Sequence, residues 1–183
     1  MSHLRLLPSP ARAASPDDTC LGAFQGEIDY LWRTLRRLGV SPSEIEDLAQ
    51  EVFLALRRSW LEYDRARPFR PYLFGIAFRI ASAHQRKRGR EVALGIVEVL
   101  DSAPGPDDAL ETKRARALVL VALERIPLPR RAVLVMHDLD DVAMTEAARV
   151  LSIPLFTAYS RLRKARKELE SAIRRFLRED HRR

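Results

Sequence analysis

With 183 residues the chain has room for one domain or two small ones, and a hydrophobic content of 46% with mean hydropathy −0.23 describes a water-soluble globular polypeptide. No apolar run approaches the roughly 18 residues of a membrane span. The lone cysteine, Cys20, excludes an intrachain disulfide and a multi-cysteine zinc site, while a net charge of +7 attracts nucleic acid or anionic lipid without by itself establishing either as a partner.

The charge is unevenly spread. Residues 1–90 hold 15 basic against 10 acidic side chains, residues 91–114 hold 2 against 6, and residues 115–183 hold 15 against 9. Two basic bodies are thus joined by an acidic segment. The first stretch, residues 1–19, is crowded with Pro, Ser and Ala and lacks a continuous apolar core of the kind a signal peptide needs. It reads as a disordered tail, and the protein as one of the reducing cytoplasm.

Residues 20–90 read as helix throughout. Phe24, Ile28, Leu31, Leu35 and Leu38 recur every three or four positions, one apolar stripe that Gly39 should stop. Ser41-Pro42-Ser43-Glu44 has the form of a helix start, with Ser41 as N-cap, Pro42 at the first helical position and Glu44 closing a capping box. Ile45, Leu48, Val52, Phe53 and Leu56 then face inward, and Glu44, Asp47, Gln50 and Glu51 outward. The period breaks at LEYDRARPFRP. A third helix follows, with Leu73, Ile76, Ala77, Ile80 and His84 along one side, His84 as a packed side chain, ending in the basic run Gln85–Arg90.

Residues 91–114 carry linker chemistry around Ser102-Ala103-Pro104-Gly105-Pro106, with GIVEVL (95–100) as a short piece able to dock. Residues 115–178 form the second body, and 179–183 a short tail. Ala117, Leu120, Val121 and Leu123 lie on a helix that halts before Pro127; Val133, Leu134 and Met136 face inward from a second; Thr145–Leu151 make a third. After the Ser152-Ile153-Pro154 corner, Ala158, Leu162, Ala165, Leu169, Ile173 and Phe176 mark the core stripe of a long final helix, opposite Tyr159, Arg163, Arg166, Lys167 and Glu170. A short helix, a tight corner and a longer helix with a basic outer face is helix-turn-helix logic. On this stretch alone, a solvated amphipathic helix competes evenly with a DNA-reading one.

Two longer segments bear on that choice. EDLAQEVFLALRRSWLEYDRARPFRPYLFGIAFRIASAHQRKRGR (46–90) resembles the second conserved region of bacterial RNA polymerase sigma factors, and ALERIPLPRRAVLVMHDLDDVAMTEAARVLSIPLFTAYSRLRKAR (122–166) resembles their fourth. With only these two regions, the chain resembles the extracytoplasmic-function (ECF) subgroup. The resemblance implies an all-α protein of two small helical domains joined by a flexible linker. It implies a cytoplasmic, non-enzymatic role in directing core polymerase to promoters under a stress or envelope signal, with no cofactor and no metal.

The same resemblance assigns residues. Asp47, Leu48, Gln50, Glu51 and Phe53 would meet the clamp of the polymerase's largest subunit. Tyr63, Arg65, Arg67 and Phe69 would capture a base flipped from the minus-ten element, and Arg79, Arg86 and Lys87 would hold the single strand. Core packing is an equal reading of Phe69 and Tyr72. Arg130, Arg131, Thr157, Tyr159, Ser160, Arg163 and Lys164 would bind the minus-thirty-five duplex while that body touches the polymerase flap. An anti-sigma protein would be a further partner.

The chain departs from the family pattern in places. Arg79 stands where Asn is frequent, Ala83 where Asp is, Ser152 and Phe156 where Gly is, and Tyr159 where a basic residue is. Phe156 either packs under the corner or touches a thymine methyl. An enzyme is disfavoured because no HExxH, Gly-rich phosphate loop or nucleophile elbow appears. Two rival functions remain: a self-sufficient DNA-binding regulator, and a polymerase-binding protein without promoter activity.

Overall fold

The computed structural model describes residues 16–93 and 110–180. Residues 1–15, the GIVEVL stretch and the Pro-Gly-Pro linker lie outside the described residues. Within them run eight α-helices and no strand: α1 (Pro16–Gly26), α2 (Ile28–Arg37), α3 (Ile45–Ser59), α4 (Phe69–Ala93), α5 (Leu110–Glu124), α6 (Leu128–Leu134), α7 (Met144–Val150) and α8 (Leu155–Asp180). The all-α, two-unit architecture is the one anticipated. α1 starts four residues inside the stretch read as tail, and α4 and α5 each run a few residues into the linker.

The first apolar stripe is real but spans two helices. Leu31, Leu35 and Leu38 are fully buried and Phe24 nearly so, yet Glu27 leaves helical geometry (φ −118°, ψ 15°) and separates α1 from α2. Gly39 stops α2 as expected, at φ +89°, where only glycine sits without strain. The Val40 N–H donates to the Leu35 carbonyl and the Gly39 N–H to the Arg36 carbonyl, both at 3.0 Å, the hydrogen-bond pattern of a Schellman cap.

The capping box expected at Ser41 does not form. The Ser41 hydroxyl donates to the Glu44 carboxylate instead of accepting from a backbone N–H. Residues Pro42–Glu44 make a single 3₁₀ turn before α3 begins at Ile45. The Glu44 carboxylate also meets His84 (3.1 Å) and Arg88 (3.2 Å) of α4. His84 is therefore a partly buried partner of an acid, consistent with the packed role anticipated for it.

α2, α3 and α4 pack around Leu31, Leu35, Val52, Leu56, Leu73, Phe74 and Ala77. In the second unit, α5, α6 and α7 pack on the inner face of α8, which is Ala158, Leu162 and Ala165. α6 continues into one wider helical turn, Val135–Leu139.

The two units also pack on each other, which nothing in the sequence announced. One continuous set of buried apolar residues runs through both. Tyr30 Oη donates to Asp140 Oδ2 at 2.8 Å, and Arg37 Nη1 donates to Asp140 Oδ1 at 2.7 Å. Burial, then the charge and hydrogen bond of Asp140, push the Tyr30 hydroxyl far above its usual range, so it stays a donor. Two glycines serve this seam. A Cβ on Gly75 of α4 would lie 2.9 Å from Val150 Cγ1 of α7, and one on Gly39 would overlap Arg131 Nη1.

Candidate nucleic-acid interface

The corner before α8 repeats the cap seen at Gly39. The Ile153 N–H donates to the Ala148 carbonyl at 2.9 Å and the Ser152 N–H to the Arg149 carbonyl at 3.1 Å. Ser152 takes φ +53° at the position that favours glycine, costing about 1 kcal/mol or more for an L-residue. Pro154 follows, and the Ala158 N–H donates back to its carbonyl at 3.0 Å. The chain is turned so that Ala158, Leu162 and Ala165 face α6 and α7. Phe156, Tyr159, Arg163, Lys164 and Lys167 are left exposed, with Thr157 and Ser160 half-buried beside them. At 3.6 residues per turn Phe156, Ser160, Arg163 and Lys167 share one outward stripe.

Two fork-shaped ion pairs tie the middle of this helix to α6 and the turn after it. Arg166 donates from Nε (2.8 Å) and Nη2 (2.7 Å) to Asp138, which holds the Asp138 carboxyl below the usual carboxylate range. Arg130 pairs with Glu168 in the same way, Nε at 3.0 Å and Nη2 at 2.7 Å. Arg130 still borders the shallow recess formed by Pro127, Pro129, Phe156, Thr157, Ser160 and Lys164, so it stands beside the N-terminal turns of α8.

Arg131 does not. The sequence reading set it beside Arg130 as a phosphate contact, and burial corrects that. Its side chain is 5% exposed, with Nη2 donating to the carbonyls of Glu124 and Ile126 (both 2.9 Å) and Nε to Ile126 (3.1 Å). A cation at the last carbonyl of α5, Glu124, and at Ile126 just beyond it favours the helix end. Burial lowers the guanidinium to about 10, and it remains charged at neutral pH.

In the first unit, the break at residues 60–68 is an ordered loop built on four rings. Tyr63 stacks on Tyr72 (centroids 4.6 Å) and on Trp60 (5.6 Å), and Phe69 meets Tyr63 edge-on at 5.6 Å. The Tyr63 hydroxyl donates to the Arg67 carbonyl at 2.6 Å, and Tyr72 Oη donates to Ser59 Oγ at 2.6 Å. Tyr63 and Phe69 are thus half-buried. Arg65 and Arg67 are exposed, Arg65 5.8 Å from the Trp60 ring centre. Arg79, Arg86 and Lys87 follow on one exposed face of α4.

On α3, Asp47, Gln50 and Glu51 are exposed along one stripe. Leu48 is buried (5%) and Phe53 packs on Phe24 at 4.9 Å, half-buried. Both pack inward and hold α3 in the bundle, as the inward stripe of that helix predicts, and Phe53 keeps part of its surface accessible. Leu54, 49% exposed on the stripe of Asp47 and Glu51, is the apolar group on that face. The sequence reading missed it, although its spacing of seven from Asp47 was the available signal.

Comparison with known proteins identifies the class. Residues 23–91 match the model of Sigma-70 region 2, and residues 112–169 that of Sigma-70, region 4. The chain belongs to the sigma-70 family of RNA polymerase sigma factors, in its ECF subgroup. It is similar to the RNA polymerase sigma factor NccH of Alcaligenes xylosoxydans xylosoxydans (25% identity, covering 88% of this chain and 91% of the relative). It is also similar to the ECF RNA polymerase sigma factor SigE of Mycolicibacterium smegmatis (28% identity, 77% of this chain and 56% of the relative). A solved sigma factor, RpoE from Bartonella quintana in complex with the anti-sigma factor NepR, shares the fold at TM-score 0.65 and 21% identity, covering 83% of this chain and 97% of that one.

Proposed function

We propose that this protein is a promoter-specificity subunit: it docks on core RNA polymerase through α3, engages the minus-ten strand with the 60–68 loop and α4, and reads the minus-thirty-five duplex with α8. The observation that carries the reading is the aim of α8. A cap at Ser152 and an apolar inner face set its basic outer stripe clear of the rest of the chain, and the N-terminal turns of such a helix fit the major groove. Arg163, Lys164 and Lys167 supply phosphate contacts, and Thr157, Tyr159 and Ser160 stand nearest the base edges. Arg130 adds a phosphate contact from α6.

In the first unit, Asp47, Gln50 and Glu51 suit an arginine-bearing partner surface on the polymerase clamp, with Leu54 as its apolar anchor. Arg65, Arg67, Arg79, Arg86 and Lys87 suit the backbone of a single strand, and the half-buried rings of Tyr63 and Phe69 a flipped base, whose lost stacking such contacts offset. No helix among the described residues is long and apolar enough to cross a membrane, and the reading places the protein in the cytoplasm as a non-enzymatic factor. The second unit would touch the polymerase flap. An anti-sigma protein, of the kind bound to the Bartonella structural relative, would restrain it until a stress or envelope signal arrives.

A gel-shift experiment tests this. The protein alone should bind promoter duplex weakly, and together with core polymerase strongly, with affinity falling steeply as salt rises. Tight binding without core polymerase would instead identify a self-sufficient regulator.

A further inference from the structure

Phe156 is 84% exposed. The corner it was free to fill is already occupied: Leu151 is buried there and Ile153 packs against the core. It stands on the second residue of α8, almost opposite Ala158, Leu162 and Ala165, with Tyr159 (55% exposed) one turn on and Arg163 beyond. A large apolar ring is therefore held in water, at the leading end of a cationic stripe and in the first turn of the helix. Cations draw that stripe onto a polyanion, which would bring the ring to the floor of the groove.

We infer that Phe156, flanked by Tyr159, contacts the C5-methyl group of a thymine in the minus-thirty-five element and thereby sets part of this protein's promoter preference. The inference rests on the reading of α8 as the duplex-reading helix. A phenyl ring neither donates nor accepts a conventional hydrogen bond, so it cannot read the N7, O6, N6 or N4 groups of the major groove. The thymine methyl is the one apolar feature that groove offers, and it differs between base pairs. The polar readers Thr157 and Ser160 sit on the same end of α8, so the ring adds discrimination where hydroxyls contribute hydrogen bonds.

The test uses holoenzyme assembled from the full chain and bacterial core polymerase. A duplex library randomised across the upstream element is selected on it, and each thymine of the selected element is then replaced in turn by deoxyuridine, which removes the methyl alone. One or two replacements should weaken wild-type binding about fourfold, the value of one buried methyl-sized group. Phe156→Ala should bind the thymine duplex about as weakly as wild type binds the deoxyuridine one, and lose nothing further on replacement. Phe156→Leu should keep part of the discrimination. The position is exposed, so helix content and melting of both variants should match wild type. A selected element without thymine, a neutral replacement, or a replacement penalty that persists in Phe156→Ala would overturn the inference. Equal weakening of Phe156→Ala on every sequence, with that penalty intact, would move the contact to a protein surface and overturn it too. Failure of wild-type holoenzyme to select any element would instead sink the underlying reading of α8.

Discussion

Arg37 of α2 donates to Asp140, beyond α6, at 2.7 Å across a seam where the Asp140 side chain is only 8% exposed. This pair, with the Tyr30 hydroxyl on the second carboxylate oxygen, ties the two units together. A compact chain of this length has a diameter of about 40 Å. Two promoter elements about 25 base pairs apart lie roughly 85 Å apart along straight duplex at about 3.4 Å per step. On the proposed reading the closed arrangement is too short to span them, and the seam would have to open for both elements to be held at once.

Asp140→Ala should favour that opening. It removes a charge-assisted acceptor and leaves Tyr30 Oη without its partner, weakening the seam by about 1–3 kcal/mol. Small-angle scattering should show a larger radius of gyration for the variant than for wild type. Identical radii would mean that the apolar packing at Gly75 and Val150 holds the seam by itself.

Arg131 and Arg163 should separate cleanly. Arg131→Ala strips the carbonyls of Glu124 and Ile126 of their donors and should cost about 2–4 kcal/mol of stability, read by denaturant unfolding. Arg163→Ala, on the exposed stripe, should stay within about 0.5 kcal/mol of wild type but lower the salt dependence of promoter binding by about one unit of slope. Reversed behaviour would return Arg131 to the DNA surface.

Ser152→Gly relieves a left-handed residue without removing a buried contact, since Ser152 is exposed. The second unit should gain up to about 1 kcal/mol, offset in part by the greater freedom of glycine in the unfolded chain. Thermal unfolding of the full chain checks it; a lower melting point would show that the serine hydroxyl contributes to the corner.

Charge reversal at Asp47 and Glu51 should weaken association with core polymerase at least roughly tenfold while leaving stability unchanged, because both are exposed. Leu54→Ala should weaken it as well. Titration of labelled protein with core enzyme measures each of the three single variants, and unaltered affinity in all of them would remove α3 from the contact.

Much of this was legible from side-chain period. The inner faces of α3, α4 and α8 follow from apolar residues at three- and four-residue steps, and the Gly39 stop and the corner before α8 from local backbone chemistry. What escaped was long-range. Period alone cannot say that Glu27 splits the first stripe, because the same residues face inward on either side of the break. Nor could an arginine beside another arginine reveal that Arg131 turns inward to the carbonyls at the end of α5 while Arg130 stays at the surface. The Asp140 seam joins positions 103 and 110 residues apart and left no local mark. Phe156 was recognised as unusual, but its exposure was needed to choose between the two roles open to it.

Run-off transcription with core polymerase over a promoter library, mapping start sites with and without this protein, tests the central claim most directly. New starts at a fixed distance downstream of a shared pair of sequence elements, appearing only when the protein is added, are the predicted result. An unchanged start-site pattern, with the protein demonstrably folded, would contradict it.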